Sequence, residues 1–566
     1  MRLPDPTSPR FVRNCHYLAL GLTALLVSGL YVPFLDNPLV FDDRTLFSGR
    51  NFAYYATHPL GLMPRLPGYF SIAATEVLFG SIVAHRVVSL VLHVLCAWVL
   101  YRLIYDLLRA AMCATRGPTL PEAATKASVC AFFGAGIFAI HPAAVYGAAY
   151  LIQRSIVVAT LFGLLSLLLL LHGVSRNDLR FSAAAAVAYA LAVLSKEHSL
   201  LIAGLALPLV WQVAVSKLVM RRHIGVYLAL CAPAAFLVVL MQRQFIGQAY
   251  EPDVAAIASQ IETSLGGPVS LSWPLSAVTQ LGLFFSYLGA WLWPDTGRMA
   301  IDLRLDPFAN WSPVWIAWKI TAFTVFGAVS AILTYRRGRA GMIGLGALVL
   351  WIQFLVELSV TRFQEPFVLY RSYLWAPGLG MAAATLFSLA TIRLSLIIFV
   401  LASSLLLYGA HDRLMTFTSP LRLWEDAAKK LPDDPIPWGS RVFYQLGREY
   451  LYSGQPERAM ATARRCLAIY PDTPHCVYAL GAIHLQMGEN RDALSWLIRA
   501  EKLVPKDGVT QHRIGLALER LGRMEEALER YRRASALRYR GGDMELGRLG
   551  AAVSGDDADT EIGAKP

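Results

Sequence analysis

The sequence predicts an all-helical protein in which a polytopic membrane domain is followed by a solenoid of short helical repeats. Of the 566 residues, 56% are hydrophobic and only 16% are charged, and the hydrophobic residues gather in runs of about 20. A chain of this length in water could not keep so much apolar surface dry. The solenoid is predicted by a period of 34 residues near the C-terminus.

The apolar runs place the membrane domain at residues 1–411, with about eleven spans. They lie near 16–35, 84–105, 128–141, 150–173, 182–196, 198–216, 224–243, 312–334, 341–360, 371–390 and 393–410. The first run follows basic residues and has no small-residue cleavage site, so we interpret it as a retained signal anchor.

Basic connectors predict the side that each loop faces. Lys and Arg cluster in 109–126, 175–180, 216–222 and 335–339, and the positive-inside rule makes all four cytoplasmic. A further apolar run, 274–293, would break this pattern if it crossed, so we expect it to be an interfacial or re-entrant helix. This arrangement puts the first loop, the 244–311 segment and everything after residue 411 on the non-cytoplasmic side.

The repeats are predicted at residues 440–541, after a linker helix at 412–439 and before a disordered tail at 542–566. Small residues recur every 34 positions: Gly447, Gly481 and Gly515; Gly454, Gly488 and Gly522; Ala459, Ala493 and Ala527. This is the tetratricopeptide pattern, and three such units form a concave face that suits an extended peptide or a partner helix. The alternative is a cap that only stabilises the membrane domain.

The cysteines and the net charge do not indicate a zinc site or a nucleic-acid-binding site. Cys466 and Cys476 could form a disulfide in an oxidising compartment or act as small packing residues. The other five cysteines have no zinc-ligand spacing. The net charge of +12 reflects the connectors, and no nucleic-acid motif accompanies it.

Ionisable residues beside the apolar runs are the candidate site. Asp42 and Asp43 follow the first span, Arg154 begins another, and Lys196 with Glu197 separates two runs. Arg371 begins a later span. Charged residues at membrane depth often line a functional cavity, and cations there could hold a phosphate while a carboxylate accepts a proton. The alternatives are a helix cap for the aspartates, an internal Lys196–Glu197 ion pair, and arginines that extend to the interface.

Several stretches in this order resemble the GT-C superfamily of lipid-linked-sugar glycosyltransferases, in particular the transmembrane and TPR-containing protein O-mannosyltransferases and their bacterial relatives. The stretches are FDDR, HRVVSLVLHVLCAWVLYRL, AIHPAAVYGAAYLIQRSIVVATLF, LSKEHS, WLWPDTGRMAIDLR, LYRSYLWAPGLG and LWEDAAKKLPDDP. The chain departs from the family at Tyr146, where an acidic residue is common, and at Leu369-Tyr370-Arg371, where Glu-His-Arg is common. These departures put the identity of the sugar in doubt.

The resemblance implies residue roles. An acidic residue of the first external loop is the catalytic base, which means Asp42 or Asp43. We favour Asp42, with Asp43 orienting the acceptor or contacting a divalent cation if one is present. The remaining expected roles are phosphate contacts from Arg154, Lys196 and Arg371, supporting positions at His141 and Glu197, and a contact from Asp302 to the acceptor or the sugar.

The expected activity is inverting transfer of a sugar from a polyprenyl-phosphate carrier to a Ser, Thr or glycan hydroxyl, with the repeats presenting the acceptor. The membrane would be a bacterial inner membrane with the repeats in the periplasm. Three alternatives stay open: an oligosaccharyltransferase that uses a lipid-diphosphate glycan, a non-catalytic membrane scaffold, and a transporter or lipid flippase.

Overall fold

A computed structural model describes residues 9–48, 51–58, 61, 63–113, 120–214, 216–243, 272–306, 312–363, 365–471 and 473–549. The chain forms two compact units, Met1–Leu423 and Trp424–Pro566. Apart from a single bridge residue, Thr361, the described residues contain no β-structure. The predicted all-helical class is confirmed. The first unit extends beyond the predicted limit at 411 because the last long helix continues to Thr416.

The first unit contains sixteen of the helices that we number, followed by one that links it to the second unit. They are α1 (Pro9–Tyr31), α2 (Asp42–Ser48), α3 (Asn51–Thr57), α4 (Leu66–Phe79), α5 (Ile82–Cys113), α6 (Leu120–Ile140), α7 (Pro142–Ala148), α8 (Arg154–Arg176), α9 (Leu179–Ser195), α10 (Ala206–Val213), α11 (Lys217–Gln242), α12 (Ser272–Leu292), α13 (Pro313–Tyr335), α14 (Gly338–Phe354), α15 (Pro377–Leu389), α16 (Ile392–Thr416) and the linking α17 (Pro420–Lys429). Short 3₁₀ segments occur at Val32–Phe34, Leu151–Gln153, Glu197–Leu205, Thr296–Arg298, Leu355–Ser359 and Leu369–Leu374.

Nine of the described helices are long and apolar enough to cross a membrane. Eight of them coincide with predicted spans, and the ninth is α12. The other three predicted spans correspond to the shorter apolar helices Leu179–Ser195, Glu197–Val213 and Pro377–Leu389.

The described parts of the four basic connectors lie at one end of this helical bundle, which we call the connector end. There, His16 of α1 contacts Tyr101 of α5 through a 2.9 Å Nδ1–Oη hydrogen bond. The Trp211 indole of α10 donates to the Tyr335 carbonyl at the end of α13, and Arg337 covers the same indole. We call the opposite end, which carries Asp42 and Asp43, the aspartate end.

Helix α12 has both of its ends at the aspartate end. The Trp273 indole donates to the Leu358 carbonyl, just after α14 (2.9 Å). Near the other end of α12, the Trp291 indole donates to Ser372 Oγ (2.8 Å), and the Trp291 carbonyl accepts from His141 Nε2 (3.0 Å). Its length and composition alone would allow α12 to cross, but these contacts fit the interfacial or re-entrant helix that we expected.

The second unit consists of paired helices: α18 (Ser440–Tyr452), α19 (Pro456–Ile469), α20 (Pro474–Gln486), α21 (Asn490–Leu503), α22 (Gly508–Arg520) and α23 (Met524–Ala536). Residues 540–549 are also helical, so part of the predicted tail from 542 is ordered, and residues 550–566 lie outside the described residues.

The 34-residue period has a steric origin. The first helix of each pair is followed by a glycine with positive φ, which is +69° at Gly454, +82° at Gly488 and +77° at Gly522, and such a backbone conformation favours glycine. A Cβ atom at Gly481 would lie 2.7 Å from Leu497 Cγ, and one at Gly515 would lie 2.5 Å from Tyr531 Cε1. The repeating glycines therefore allow the helix turn and the close approach of paired helices.

Cys466 and Cys476 form a disulfide between α19 and α20. Both cysteines are buried and pack with Phe443. The sequence left open whether these two cysteines form a disulfide or only pack as small residues, and in the structure they form the disulfide.

Candidate active site

The two aspartates form the first turn of α2, where their surroundings differ. The Asp42 amide donates to the Tyr150 hydroxyl (3.1 Å), and the Asp42 side chain is half-buried. Asp43 is fully buried, and its Oδ1 accepts a 2.8 Å hydrogen bond from the Ile152 amide. Asp43 therefore fixes α2 against the start of α8, while Asp42 is the more accessible of the two carboxylates.

Burial raises the pKa of the Asp43 carboxyl from 3.8 to about 7, although the Ile152 amide and the Arg86 guanidinium act in the opposite direction. The second carboxylate oxygen, Oδ2, is buried and makes no hydrogen bond with any described residue. A carboxyl in this environment is partly protonated near neutral pH.

Arg86, near the start of α5, holds the loop that leads to these aspartates. Its guanidinium donates to three backbone carbonyls, those of Asn37 (2.9 Å), Pro38 (2.8 Å) and Ala149 (3.0 Å). The loop after α1 is therefore tied both to α5 and to the segment that carries Tyr150.

Arg154 is fully buried at the start of α8. Its Nε donates to Ser89 Oγ. Its two terminal nitrogens bond the Ser71 carbonyl, Thr75 Oγ1 and both the carbonyl and Nδ1 of His85. These bonds engage all five guanidinium donors, so none is left for the phosphate contact that the resemblance implied. In this structure Arg154 joins α4, α5 and α8.

Four cations at the aspartate end form what we call the basic cluster: Arg65, Lys196, Arg362 and Arg371. Two carboxylates accompany them, of which Glu357 is fully buried and Glu197 is partly buried. Arg65 binds Glu197 through two hydrogen bonds of 3.2 and 2.7 Å. Glu357 lies 2.9 Å from Arg362 Nε and 3.4 Å from Arg371 Nη1. A third carboxylate, Glu365, also lies near Arg371, so four cations face three carboxylates and the cluster keeps an excess of positive charge.

Lys196 is the cation of this cluster without a partner. The residue is only 5% exposed, and its ammonium makes no hydrogen bond or ion pair with any described residue. Burial lowers its pKa from 10.5 to about 7, and the neighbouring Arg65 lowers it further while Glu197 opposes this. The proposed internal Lys196–Glu197 pair is therefore replaced by a pair between Glu197 and Arg65.

Aromatic rings connect the aspartates with the basic cluster. The Tyr150 ring, whose hydroxyl bonds the Asp42 amide, lies 6.3 Å from the Tyr370 ring. The Arg371 guanidinium carbon lies 6.0 Å from the centre of that same ring. Acids and cations from distant parts of the sequence therefore share one region of the aspartate end.

The two other predicted residues have local partners. His141 caps α7 by accepting from the Ala143 amide, and its other nitrogen bonds the Trp291 carbonyl. Burial lowers its pKa to about 3, so it is neutral and supports the end of α12. Asp302 is buried and pairs with Arg304 at 2.6 Å.

In the part of the chain that the structure describes, metal ligands do not gather around the aspartates. Within the described residues, the set of His, Cys, Asp or Glu groups close enough to share an ion is His484, Glu489 and Asp492, which belongs to the repeats. In the described ranges, no third His, Cys, Asp or Glu group lies close enough to Asp42 and Asp43 to share an ion, so this donor set does not fit an ion held by the protein alone. We derive no step through a metal.

Four residues of the site were not singled out from the sequence. Arg86 lay inside a stretch that we had quoted only for its resemblance, and Arg362 lay in a polar connection between two predicted spans. Glu357 was detectable as an acid within an apolar run, which is a costly position. Arg65 had no comparable signal, since it follows a loop and begins no predicted span.

The chain was compared with known families and proteins. The tetratricopeptide-repeat family matches residues 440–473 and 512–545. The CTR9 homolog of Arabidopsis thaliana is 32% identical over 65 residues, which are 12% of this chain and 6% of that protein. The alignment therefore spans only a small part of that curated relative.

Among solved structures, MamA aligns with 23% of this chain, and the alignment covers 70% of the MamA chain, at 20% identity and a TM-score of 0.19. The oligosaccharyltransferase of Archaeoglobus fulgidus aligns with 76% of the chain and 59% of its own in the apo form, at 12% identity and a TM-score of 0.37. The structure of the same enzyme with a tethered acceptor peptide aligns with 78% of this chain and 58% of the enzyme, at 13% identity and a TM-score of 0.33. None of these TM-scores reaches 0.5, so the chemistry below is argued from this chain's own residues. The repeat matches assign the second unit to the tetratricopeptide repeats.

Proposed function

We propose that this chain is a membrane glycosyltransferase that moves a sugar from a polyprenyl-phosphate carrier to a hydroxyl of a protein or glycan. The observation that carries the proposal is the basic cluster, with its excess of positive charge and its unpartnered Lys196, in the same region as Asp42. A phosphate group supplies the negative charge that such a cluster lacks.

Asp42 is the catalytic base in this mechanism. It accepts the proton of the acceptor hydroxyl as the oxygen forms a bond to the anomeric carbon, while the bond from that carbon to the phosphate oxygen breaks. The displaced polyprenyl phosphate leaves as an anion, and the configuration of the sugar inverts. The half-buried position of Asp42 supports this choice over the fully buried Asp43, which instead fixes α2.

Lys196 and Arg371 are the proposed phosphate contacts. Lys196 has three donors without partners among the described residues. Arg371 keeps donors beyond its contacts with Glu357 and the Glu365 carbonyl. Arg154, Arg86 and His141 are positioning residues in this proposal, because each is occupied by other parts of the protein.

We further propose that the aspartate end faces the periplasm of a bacterial inner membrane. The four basic connectors lie at the opposite end, as the positive-inside rule requires. Helix α16 ends at the aspartate end, where Arg413 bonds the Met299 carbonyl, so the chain leaves the first unit there. The Cys466–Cys476 disulfide also fits an oxidising compartment. The repeats would present the acceptor on that side.

The decisive experiment measures sugar transfer by the full chain in lipid nanodiscs. The donor is a polyprenyl-phosphate-linked hexose, and the acceptor is a mixture of envelope proteins read by glycopeptide mass spectrometry. Asp42→Asn should lower transfer by about 10²–10⁴-fold, the range for loss of a general base. Asp36→Asn is the matched control, since Asp36 is an exposed carboxylate of the same loop.

Full activity of Asp42→Asn would remove the proposed base. If a polyprenyl-diphosphate glycan is transferred and the monophosphate donor is not, the oligosaccharyltransferase alternative holds instead. If neither donor supports transfer, while deletion of 440–541 abolishes the cellular role, the chain is the scaffold considered above.

A further inference from the structure

A cavity of about 620 Å³ opens at the connector end, away from the candidate active site. Its lining comes mainly from α5 and α8, together with His16 of α1 and residues near the start of α11. Pockets of roughly 300–1,000 Å³ are the usual size for small-molecule sites. The candidate active site does not use any of these residues.

The deep part of the cavity contains polar groups without partners. Tyr105 is only 3% exposed, and its hydroxyl makes no hydrogen bond with any described residue. The buried Nε of Arg102 is in the same situation. Asp106 hydrogen bonds to His172 at 2.9 Å, while its distance to Arg102 Nη2 is 3.9 Å, which is too long for a hydrogen bond.

Two more arginines lie at the rim of this cavity. Arg109 and Arg176 are exposed, and their guanidinium carbons lie 5.7 Å from the Tyr105 ring centre and 4.8 Å from the Phe181 ring centre, respectively. Neither guanidinium makes a hydrogen bond or ion pair with any described residue. Their planar donor groups are therefore held by ring stacking and stay available.

We propose that this cavity binds a phosphate-bearing anion. Three guanidinium groups, from Arg102, Arg109 and Arg176, surround it, and among the described residues of its lining Asp106 is the single carboxylate. Guanidinium groups bind phosphate oxygens through paired, charge-assisted hydrogen bonds, and the Tyr105 hydroxyl adds a further donor. This proposal does not depend on the glycosyltransferase assignment, because the two sites share no residue.

The phosphate could belong to a lipid headgroup or to a soluble compound. The lipid source is favoured by Tyr17 and Leu18, which are 64% and 63% exposed and follow His16 in α1. They could contact an acyl chain whose headgroup occupies the cavity. The cytoplasmic leaflet, which the connector end would face, is rich in anionic lipid.

Native mass spectrometry of the full chain tests the proposal. The chain is prepared in nanodiscs of phosphatidylcholine alone, in phosphatidylcholine with phosphatidylglycerol, and in phosphatidylcholine with added inorganic phosphate. The test variant is Arg109→Gln with Arg176→Gln, whose exposed side chains can change without disturbing the core. Arg393→Gln is the control, because it removes an exposed arginine at the same end outside the cavity.

If a lipid is the source, the wild type and Arg393→Gln retain phosphatidylglycerol, and the double variant binds it at least about tenfold more weakly. If the source is soluble, the same difference appears only with inorganic phosphate. Tyr105→Phe should weaken the same binding without removing a charge, and it serves if the double variant fails to fold. Equal binding by the wild type, the double variant and Tyr105→Phe in all three preparations would overturn the proposal.

Discussion

Replacing Asp43 by asparagine should remove a pH dependence from the stability of the membrane unit. The folded-state pKa of this carboxyl is about 7, compared with 3.8 in the unfolded chain. Because the folded pKa is raised, the folded state holds the proton more tightly. The resulting stabilisation is fully present below pH 3.8 and is lost as the pH rises through about 7.

The magnitude follows from these two values. Between pH 5 and pH 8 the linkage relation gives a loss of about 3 kcal/mol from this one group. Asparagine keeps an oxygen that can accept from the Ile152 amide, and it does not titrate. Its contribution should therefore stay constant over the same range.

The assay is thermal unfolding of the wild type and Asp43→Asn in the same nanodiscs at pH 5, 6, 7 and 8. Other titrating groups are common to both proteins, so they cancel in the difference between the two apparent Tm values. We expect the wild type to lose a few °C relative to the variant as the pH rises. Parallel Tm profiles for the two proteins would mean that Asp43 is not buried as described. Asp36→Asn, which changes an exposed carboxylate, should follow the wild type.

Three other predictions address the remaining parts of the site and the repeats. Lys196→Met should raise the KM for the polyprenyl-phosphate donor at least about tenfold, with partial recovery in Lys196→Arg; an unchanged KM would remove Lys196 from the phosphate site. Arg86→Lys should lower activity and stability almost as much as Arg86→Ala, because an ammonium cannot reproduce three directed bonds to carbonyls; full function of the lysine variant in both assays would contradict this. Cys466 and Cys476 should react with a thiol reagent only after reduction, and replacing both with serine should cost about 2.5 kcal/mol in the repeat unit; labelling of these two cysteines in unreduced, denatured protein would show that they are not bridged.

The helical organisation was accessible from the sequence because hydropathy and charge act locally. Eight long apolar helices, three shorter ones and the repeats lie where the runs and the 34-residue period put them. Helix α12 could be anticipated only through the charge of the connector at 335–339, since its composition equals that of a crossing helix. What fixes it is a set of contacts with Leu358, Ser372 and His141, which are far away in the chain.

The candidate site was only partly accessible, because its composition depends on which segments meet. Lys196 and Glu197 are neighbours in sequence and were natural partners, yet Glu197 pairs with Arg65, 132 residues earlier. Arg154 looked like a free cation at the mouth of a span, but polar groups of α4 and α5 saturate it. Hydrogen-bond saturation is a property of the assembled fold, and no local pattern reports it.

Arg86 donates to the backbone carbonyl oxygens of residues 37, 38 and 149, and these bonds do not involve the side chains of those residues. Every amino acid has the same backbone carbonyl, so residues 37, 38 and 149 can be substituted without loss of these three hydrogen bonds. The sequence can therefore change at these three positions without detaching the loop that leads to Asp42, as long as Arg86 is kept.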